Sequence, residues 1–104
     1  MAITRLASLR TMLEQDPQNT LLRYGLATEL KNSGDLEGAV AEYQALLDRN
    51  SRYSAAYFHG GQTLEKLGRA EGAREWYRRG VQATVENGDD HARAEMQAAL
   101  DLLP

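Results

Sequence analysis

Apolar residues recur along this chain every three or four positions, the period of helices that bury one face. Ile3, Leu6, Leu9, Met12 and Leu13 form the first stripe, which Asp16-Pro17 closes. A second stripe, Leu22, Leu26, Ala27 and Leu30, lies between Thr20 and Asn32. Ala39, Val40, Tyr43, Leu46 and Leu47 form a third between Leu36 and Arg49, with Glu37, Glu42 and Asp48 on the opposite, solvated side. From near Ser54 a fourth carries Tyr57, Gly60, Gly61, Leu64 and Leu67, and the longest predicted helix runs from Ala70 to about Asn87. After Asn87-Gly88 a last stripe passes through Ala92, Met96, Ala99, Leu100 and Leu103. The pattern predicts an all-α chain of about six helices.

Part of the pattern occurs twice. Gly-Asp-Leu-Glu-Gly-Ala-Val-Ala-Glu-Tyr, from Gly34 to Tyr43, returns as Gly-Arg-Ala-Glu-Gly-Ala-Arg-Glu-Trp-Tyr from Gly68 to Tyr77, 34 positions later. Each copy reads as a helix stop, a tight turn and a helix start. Gly34 and Gly68 can take the positive φ that ends a helix. Asp35 offers an N-cap oxygen to the helix that follows, which Arg69 cannot do. Ala39 and Ala73 stand where two helices approach closely, and Tyr43 and Tyr77, one turn on, fill the space beyond. Adjacent glycines at 60 and 61 cost about 1 kcal/mol each relative to alanine inside a helix, so something must come close to their backbone. Tyr43 of the preceding repeat is the expected neighbour. Trp76, one turn from both Gly72 and Gly80, is expected to be partly buried over bare backbone.

On these residues the chain resembles the tetratricopeptide repeat proteins, whose unit is 34 residues long. The first unit carries the matching Leu26-Ala27, Leu30, Gly34, Ala39, Tyr43 and Leu46, and the second Tyr57, Gly60-Gly61, Leu64, Gly68, Ala73, Tyr77 and Gly80. Arg23 takes the place of the family's large apolar residue, and Ser51 and Val85 stand where proline is common. The resemblance implies a short right-handed alpha-alpha superhelix of helical hairpins in one domain, residues 1–104. Its parts are an N-terminal capping helix (3–16), a first unit (20–53), a second unit (54–87) and a C-terminal capping helix (89–103), the caps covering the end faces of a short solenoid. In a strict 34-residue frame His91, Ala94, Glu95 and Ala98 would face inward on the last helix. A two-residue insertion around residues 86–90 moves Met96 and Leu100 there instead.

At 104 residues, 42% hydrophobic and 26% charged, the chain has material for one modest core. Cysteine is absent, so disulfides and zinc-thiolate sites are excluded. A formal net charge of −3 argues against a general nucleic-acid binder. Thr4, Arg5, Ser8 and Arg10 interrupt the N-terminal apolar residues, and no run reaches membrane-spanning length. The expectation is a cytoplasmic chain with no membrane partner. His59 and His91 are the only histidines and lack metal-ligand spacing, and no serine sits in a nucleophile elbow. Gly60-Gly61 lacks the context of a phosphate loop. Arg74, Arg78 and Arg79 are interleaved with Glu71 and Glu75, the pattern of a solvated helix face. No enzyme, metal or cofactor is expected.

The expected function is a non-catalytic interaction module, an adaptor or scaffold holding a peptide or helix of a partner protein. The resemblance places the concave groove at Leu21, Tyr24, Thr28 and Lys31 of the first unit and Ala55, Phe58, Gln62 and Glu65 of the second. Tyr24 and Phe58, 34 apart, would stand side by side, either as anchors or as rings covered by neighbouring helices. These positions lack the family's Lys/Asn/Arg carboxylate clamp, which disfavours a chaperone-tail binder. The alternative is a self-associating module, a weak homodimer pairing through Leu6, Leu9 and Leu13 at one end and Met96, Leu100 and Leu103 at the other.

Overall fold

The computed structural model describes residues 4–104, so the Ile3 position of the first stripe lies outside it. Six helices follow in order: α1 (Arg5–Gln15), α2 (Thr20–Asn32), α3 (Leu36–Arg49), α4 (Ser54–Lys66), α5 (Ala70–Asn87) and α6 (Asp90–Asp101). Their ends follow from local chemistry. Asp35 accepts a hydrogen bond from the Gly38 N–H at 2.9 Å, and Thr4, Asn19 and Asp89 cap α1, α2 and α6 in the same way. Arg69 offers no capping oxygen to α5, and its guanidinium instead pairs with Glu37 in the first turn of α3. At the far end of α2 and α4, Gly34 and Gly68 adopt φ of +94° and +75°. There the Asp35 N–H donates to the Leu30 carbonyl, and the Arg69 N–H to the Leu64 carbonyl, each at 2.9 Å. This hydrogen-bonded reversal turns the chain directly into its partner helix.

Each helix packs on the next in sequence, and α2 also touches α4, so the helices form a solenoid measuring 45 × 29 × 20 Å. The core is a continuous strip from Leu9 and Leu13 of α1 through Tyr43 and Tyr77 to Met96 of α6. Met12, expected inward, is 43% exposed. An end helix has one neighbour, and α2 is wide enough to cover Leu9 and Leu13 but not the flank where Met12 projects.

The neighbour of Gly60 and Gly61 is not Tyr43 but the facing helix of their own hairpin. Trp76 lies across Gly60 and Tyr77 across Gly61. The indole is therefore buried, 7% exposed, rather than partly so. Gly80 receives the next element, since a Cβ there would lie 2.8 Å from Met96 and from the Tyr57 Cβ. In the first unit Leu26 and Ala27 stand where the second has Gly60 and Gly61, and Glu42 stands where it has Trp76. Bulk has moved from one side of the hairpin to the other.

The partners of those positions change together. Glu42 accepts from Arg23 Nη1 at 2.8 Å, while in the second unit the equivalent Tyr57 and Trp76 meet edge to face with centroids 6.3 Å apart. Arg23, standing in for a large apolar residue, lays its side chain into the hairpin at 14% exposure. It donates to the Pro17 carbonyl at 3.2 Å and leaves its Nε without a hydrogen-bond partner. The Arg79 guanidinium stacks 5.2 Å over the Tyr57 ring.

The glycine contacts predict opposite effects for two similar substitutions. A Cβ at Gly61 would meet the fully buried Tyr77 ring at 2.8 Å from Cδ1, an overpacking that typically costs about 1–3 kcal/mol and exceeds the gain in helix propensity. At Gly72 the nearest atom, Leu64 Cδ1, is 3.6 Å away, so Gly72→Ala is expected to add up to about 1 kcal/mol. Urea denaturation of both variants checks this. A Gly61→Ala protein at least as stable as the wild type would contradict the packing described.

Candidate functional site

The 34-residue step that repeats the core also repeats a second face, about 100° round each helix from the buried stripe. On α2 this face carries Leu21, Tyr24, Thr28 and Lys31; on α4 it carries Ala55, Phe58, Gln62 and Glu65. Leu21, at 68% exposure, lines a depression between α1 and α2 together with Tyr24, Thr28, Arg5 and Glu29. The others gather along one side of the molecule. Lys31 Nζ lies 3.4 Å from both Gln62 Oε1 and His59 Nδ1, joining α2 to α4.

Tyr24 and Phe58 are both half-buried, with His59 between them. The His59 ring meets Tyr24 at 5.9 Å and Phe58 at 5.5 Å, centroid to centroid. Tyr53 packs on Tyr24 at 5.4 Å, and Tyr77 on Phe58 at 6.3 Å, so one aromatic track crosses the groove floor from α2 to α5. The inner ends of the track are tied to the core. The Tyr43 hydroxyl shares a 2.9 Å hydrogen bond with Thr28, and the Tyr77 hydroxyl donates to Glu65. Burial pushes the Tyr43 phenol up to about 12. Tyr77 is raised further, first by burial and then by its bond to the Glu65 carboxylate, so both phenols remain protonated.

Beyond Phe58 the groove deepens. A cleft of about 430 Å³ opens between α4 and α6, lined by Ala55, Phe58, His59, Ala92, Glu95 and Met96 among others. It continues past Phe58 and Glu95 into a second depression of about 460 Å³, which adds Gln62, Glu65, Tyr77, Ala98, Ala99 and Leu102. These are the dimensions of ligand-accepting clefts. The contribution of α6 and the bridging position of His59 are absent from the groove expected from the repeat. The signal for α6 was present: α2 and α4 begin 34 residues apart, but α4 and α6 begin 36 apart. Carrying the groove positions of α4 forward by 36 lands within one residue of Ala92, Glu95, Ala98 and Leu102. As expected from the insertion, Met96 is buried, while Leu100 is half-buried and His91, Ala94, Glu95 and Ala98 are exposed.

Among the described residues no His, Asp and Glu side chains cluster as a metal site requires, and no helix is long and apolar enough to cross a membrane. A tetratricopeptide repeat family model matches residues 24–87, the two hairpins that build most of the groove. A TPR repeat-containing protein of Pseudomonas aeruginosa is 32% identical over 92 residues, covering 88% of each chain. The chain belongs to the tetratricopeptide repeat family. Solved structures agree in shape. A Bordetella parapertussis protein superposes with a TM-score of 0.83 at 30% identity, over 96% of this chain and 87% of that one. A tetratricopeptide repeat domain protein from Salinibacter ruber gives 0.77 at 28% identity, over 81% and 85%. PcrH, solved in complex with the chaperone binding region of PopD, gives 0.87 over 92% and 73%, and at 16% identity shows the shared fold alone. Tetratricopeptide repeat proteins are in general non-catalytic modules of protein–protein interaction, and a protein-binding role follows for this chain.

The groove carries a pH signature. Burial, then the neighbouring Lys31 charge, lowers the His59 pKa below its ordinary 6.5, against a smaller opposing effect of Gln62. Lys31 is lowered as well, by burial and by Lys66. A charged Lys31 donates to His59 Nδ1 and so favours the neutral ring. Because the folded state holds the His59 proton less tightly than the unfolded state, this group's contribution to stability is present above about pH 6.5 and is lost as pH falls from there through the folded value. Proton NMR titration is expected to show a His59 midpoint below 6.5, moving upward in Lys31→Met. A folded-state midpoint at or above 6.5 would remove the described environment of the ring.

Proposed function

We propose that this protein holds a short segment of a partner protein in the concave groove, with Tyr24 and Phe58 as anchors and Thr28, Lys31, Ala55, Gln62 and Glu65 around them, and that it performs no catalysis of its own. Leu21, exposed beside Tyr24 and Thr28 in the depression against α1, would meet a partner that runs on along α2 from the groove. The observation that carries the reading is the cleft between α4 and α6, which the half-buried Phe58 lines while its ring packs against those of Tyr77 and His59. A rigid ring already fixed by its neighbours loses little side-chain freedom on binding, which suits it to anchoring. In this reading α6 is more than a cap, because it forms the second wall of the cleft. The complex of PcrH with a region of PopD shows that a protein of this fold engages a segment of another chain, and it lends support to that extent.

Self-association through the end helices is less well supported. Leu9, Leu13 and Met96, three of the residues assigned to it, are buried in the chain's own core. Among the described residues the large apolar ones left exposed, Met12, Leu21, Val85 and Leu102, are divided among α1, α2, α5 and the end of α6.

Phe58→Ala tests the groove. Peptides selected from a random library against the immobilised wild-type chain are expected to lose at least about 30-fold in affinity, the effect of truncating a strong anchor. The stability loss should stay below the roughly 3–5 kcal/mol of a fully buried aromatic, for which Tyr77→Ala is the comparison. Unchanged peptide affinity in a folded Phe58→Ala protein would sink the reading.

A further inference from the structure

The two depressions that meet at Phe58 and Glu95 share one electrostatic character. Their charged lining residues are Glu65, Asp89 and Glu95; among the described residues no lysine or arginine lines either one. Between these carboxylates much of the surface is apolar or small, with Ala55, Phe58, Ala92, Ala98, Ala99 and the 85%-exposed Leu102, and its uncharged polar members include His59 and Gln62. The acids are held in place by contacts that leave them unneutralised by any fixed cation. Glu65 accepts from the Tyr77 hydroxyl, and Asp89 accepts from the Ala92 N–H. Glu95 pairs at 2.7 Å with His91, whose exposed ring carries charge only when protonated. Across α4 the sign reverses, since the corresponding position on α2 is Lys31 rather than Glu65. The groove is thus acidic along α6 and basic at its α2 edge.

The geometry points to a partner segment with apolar anchor residues flanked by lysine or arginine, seated between α4 and α6 so that its anchors lie against Phe58 and Ala92 and its cations meet Glu65, Asp89 and Glu95. This deepens the groove reading above and rests on it. Low-dielectric walls on both sides strengthen attraction between such a segment and the carboxylates, and complementary charge of this kind fixes partner choice and register. A second copy of the chain, with a net charge of −3, is the electrostatically disfavoured occupant.

The test selects short random-sequence peptides, displayed on phage, against the immobilised full chain. Enriched peptides are then synthesised, and their binding is measured by fluorescence polarisation and mapped by NMR. Peptides enriched in Lys and Arg around apolar residues are expected, shifting the resonances of Phe58, Ala92 and Ala98, with affinity that weakens as salt is added. Glu95→Lys, at an exposed position, should weaken them about tenfold and enrich acidic peptides in a repeated selection. Glu65→Lys, checked for an unchanged helical spectrum, should act in the same direction. Neutral or acidic peptides that shift the same resonances and are indifferent to Glu95→Lys would overturn this inference and leave the groove reading standing. Peptides that bind without disturbing the groove resonances, or no enrichment at all, would overturn both.

Discussion

The contact on which the rest depends is that of Trp76 and Tyr77 with the bare backbone at Gly60 and Gly61. A side chain on either glycine would hold α4 and α5 apart, because both rings are buried and have nowhere to retreat. The same approach sets the groove. Tyr77 crosses the hairpin with its ring in the core and its hydroxyl on Glu65, and its outer edge supports Phe58. Packing inside the hairpin therefore orients the ring that the cleft presents to a partner.

The first hairpin reaches the same geometry by other means. Leu26 and Ala27 occupy the glycine positions, and the bulk opposite is correspondingly reduced from Trp76 to Glu42. Glu42 at a half-buried position needs a counter-charge, and Arg23 supplies it where the second unit has Tyr57. An ion pair in one repeat and an aromatic pair in the next are thus equivalent solutions to a single spatial requirement. Neither substitution is interpretable alone. Tyr57 in place of Arg23 would leave Glu42 without its counter-charge, and tryptophan at position 42 would meet Leu26.

This equivalence explains what was legible in the sequence. Turns and caps depend on residues near one another in the chain, so Gly34, Gly68 and Asp35 announced their roles through spacing alone, and the helix limits of α2, α3 and α5 followed. Tyr43 does not reach Gly60-Gly61, because the face of α4 that carries the glycines meets α5, its own hairpin partner, rather than α3. Comparing repeats points the same way, since Tyr77 holds in the second unit the position of Tyr43 in the first, and so lies in the same hairpin as Gly60 and Gly61. Met12 and Arg23 were not legible in this way. Their exposure depends on how much of a helix its neighbour covers, and periodicity shows a face without showing its width. His59 was hidden for the opposite reason: one histidine beside a groove position carries no pattern until Tyr24 and Phe58 are seen to flank it.

The groove and the core use different faces of the same helices, and this separation lets them vary independently. Positions 26, 27 and 30, with 60, 61 and 64 after them, are held by close packing and admit only exchanges of volume. Lys31 and Glu65 occupy one register position in successive repeats yet differ in charge, and the backbone around them is the same. A carboxylate or ammonium at that position faces open solvent on one side, so its sign contributes little to stability. It sets the potential along the groove instead. The lengthened α5, 18 residues against 14 in α3, is joined to α6 by a shorter link and carries α6 two residues out of the repeat. That helix consequently packs on α5 and leaves a cleft against α4, where an in-register repeat brings α2 and α4 into contact. A departure from the period, rather than the period itself, thus accompanies the cleft that Phe58 lines.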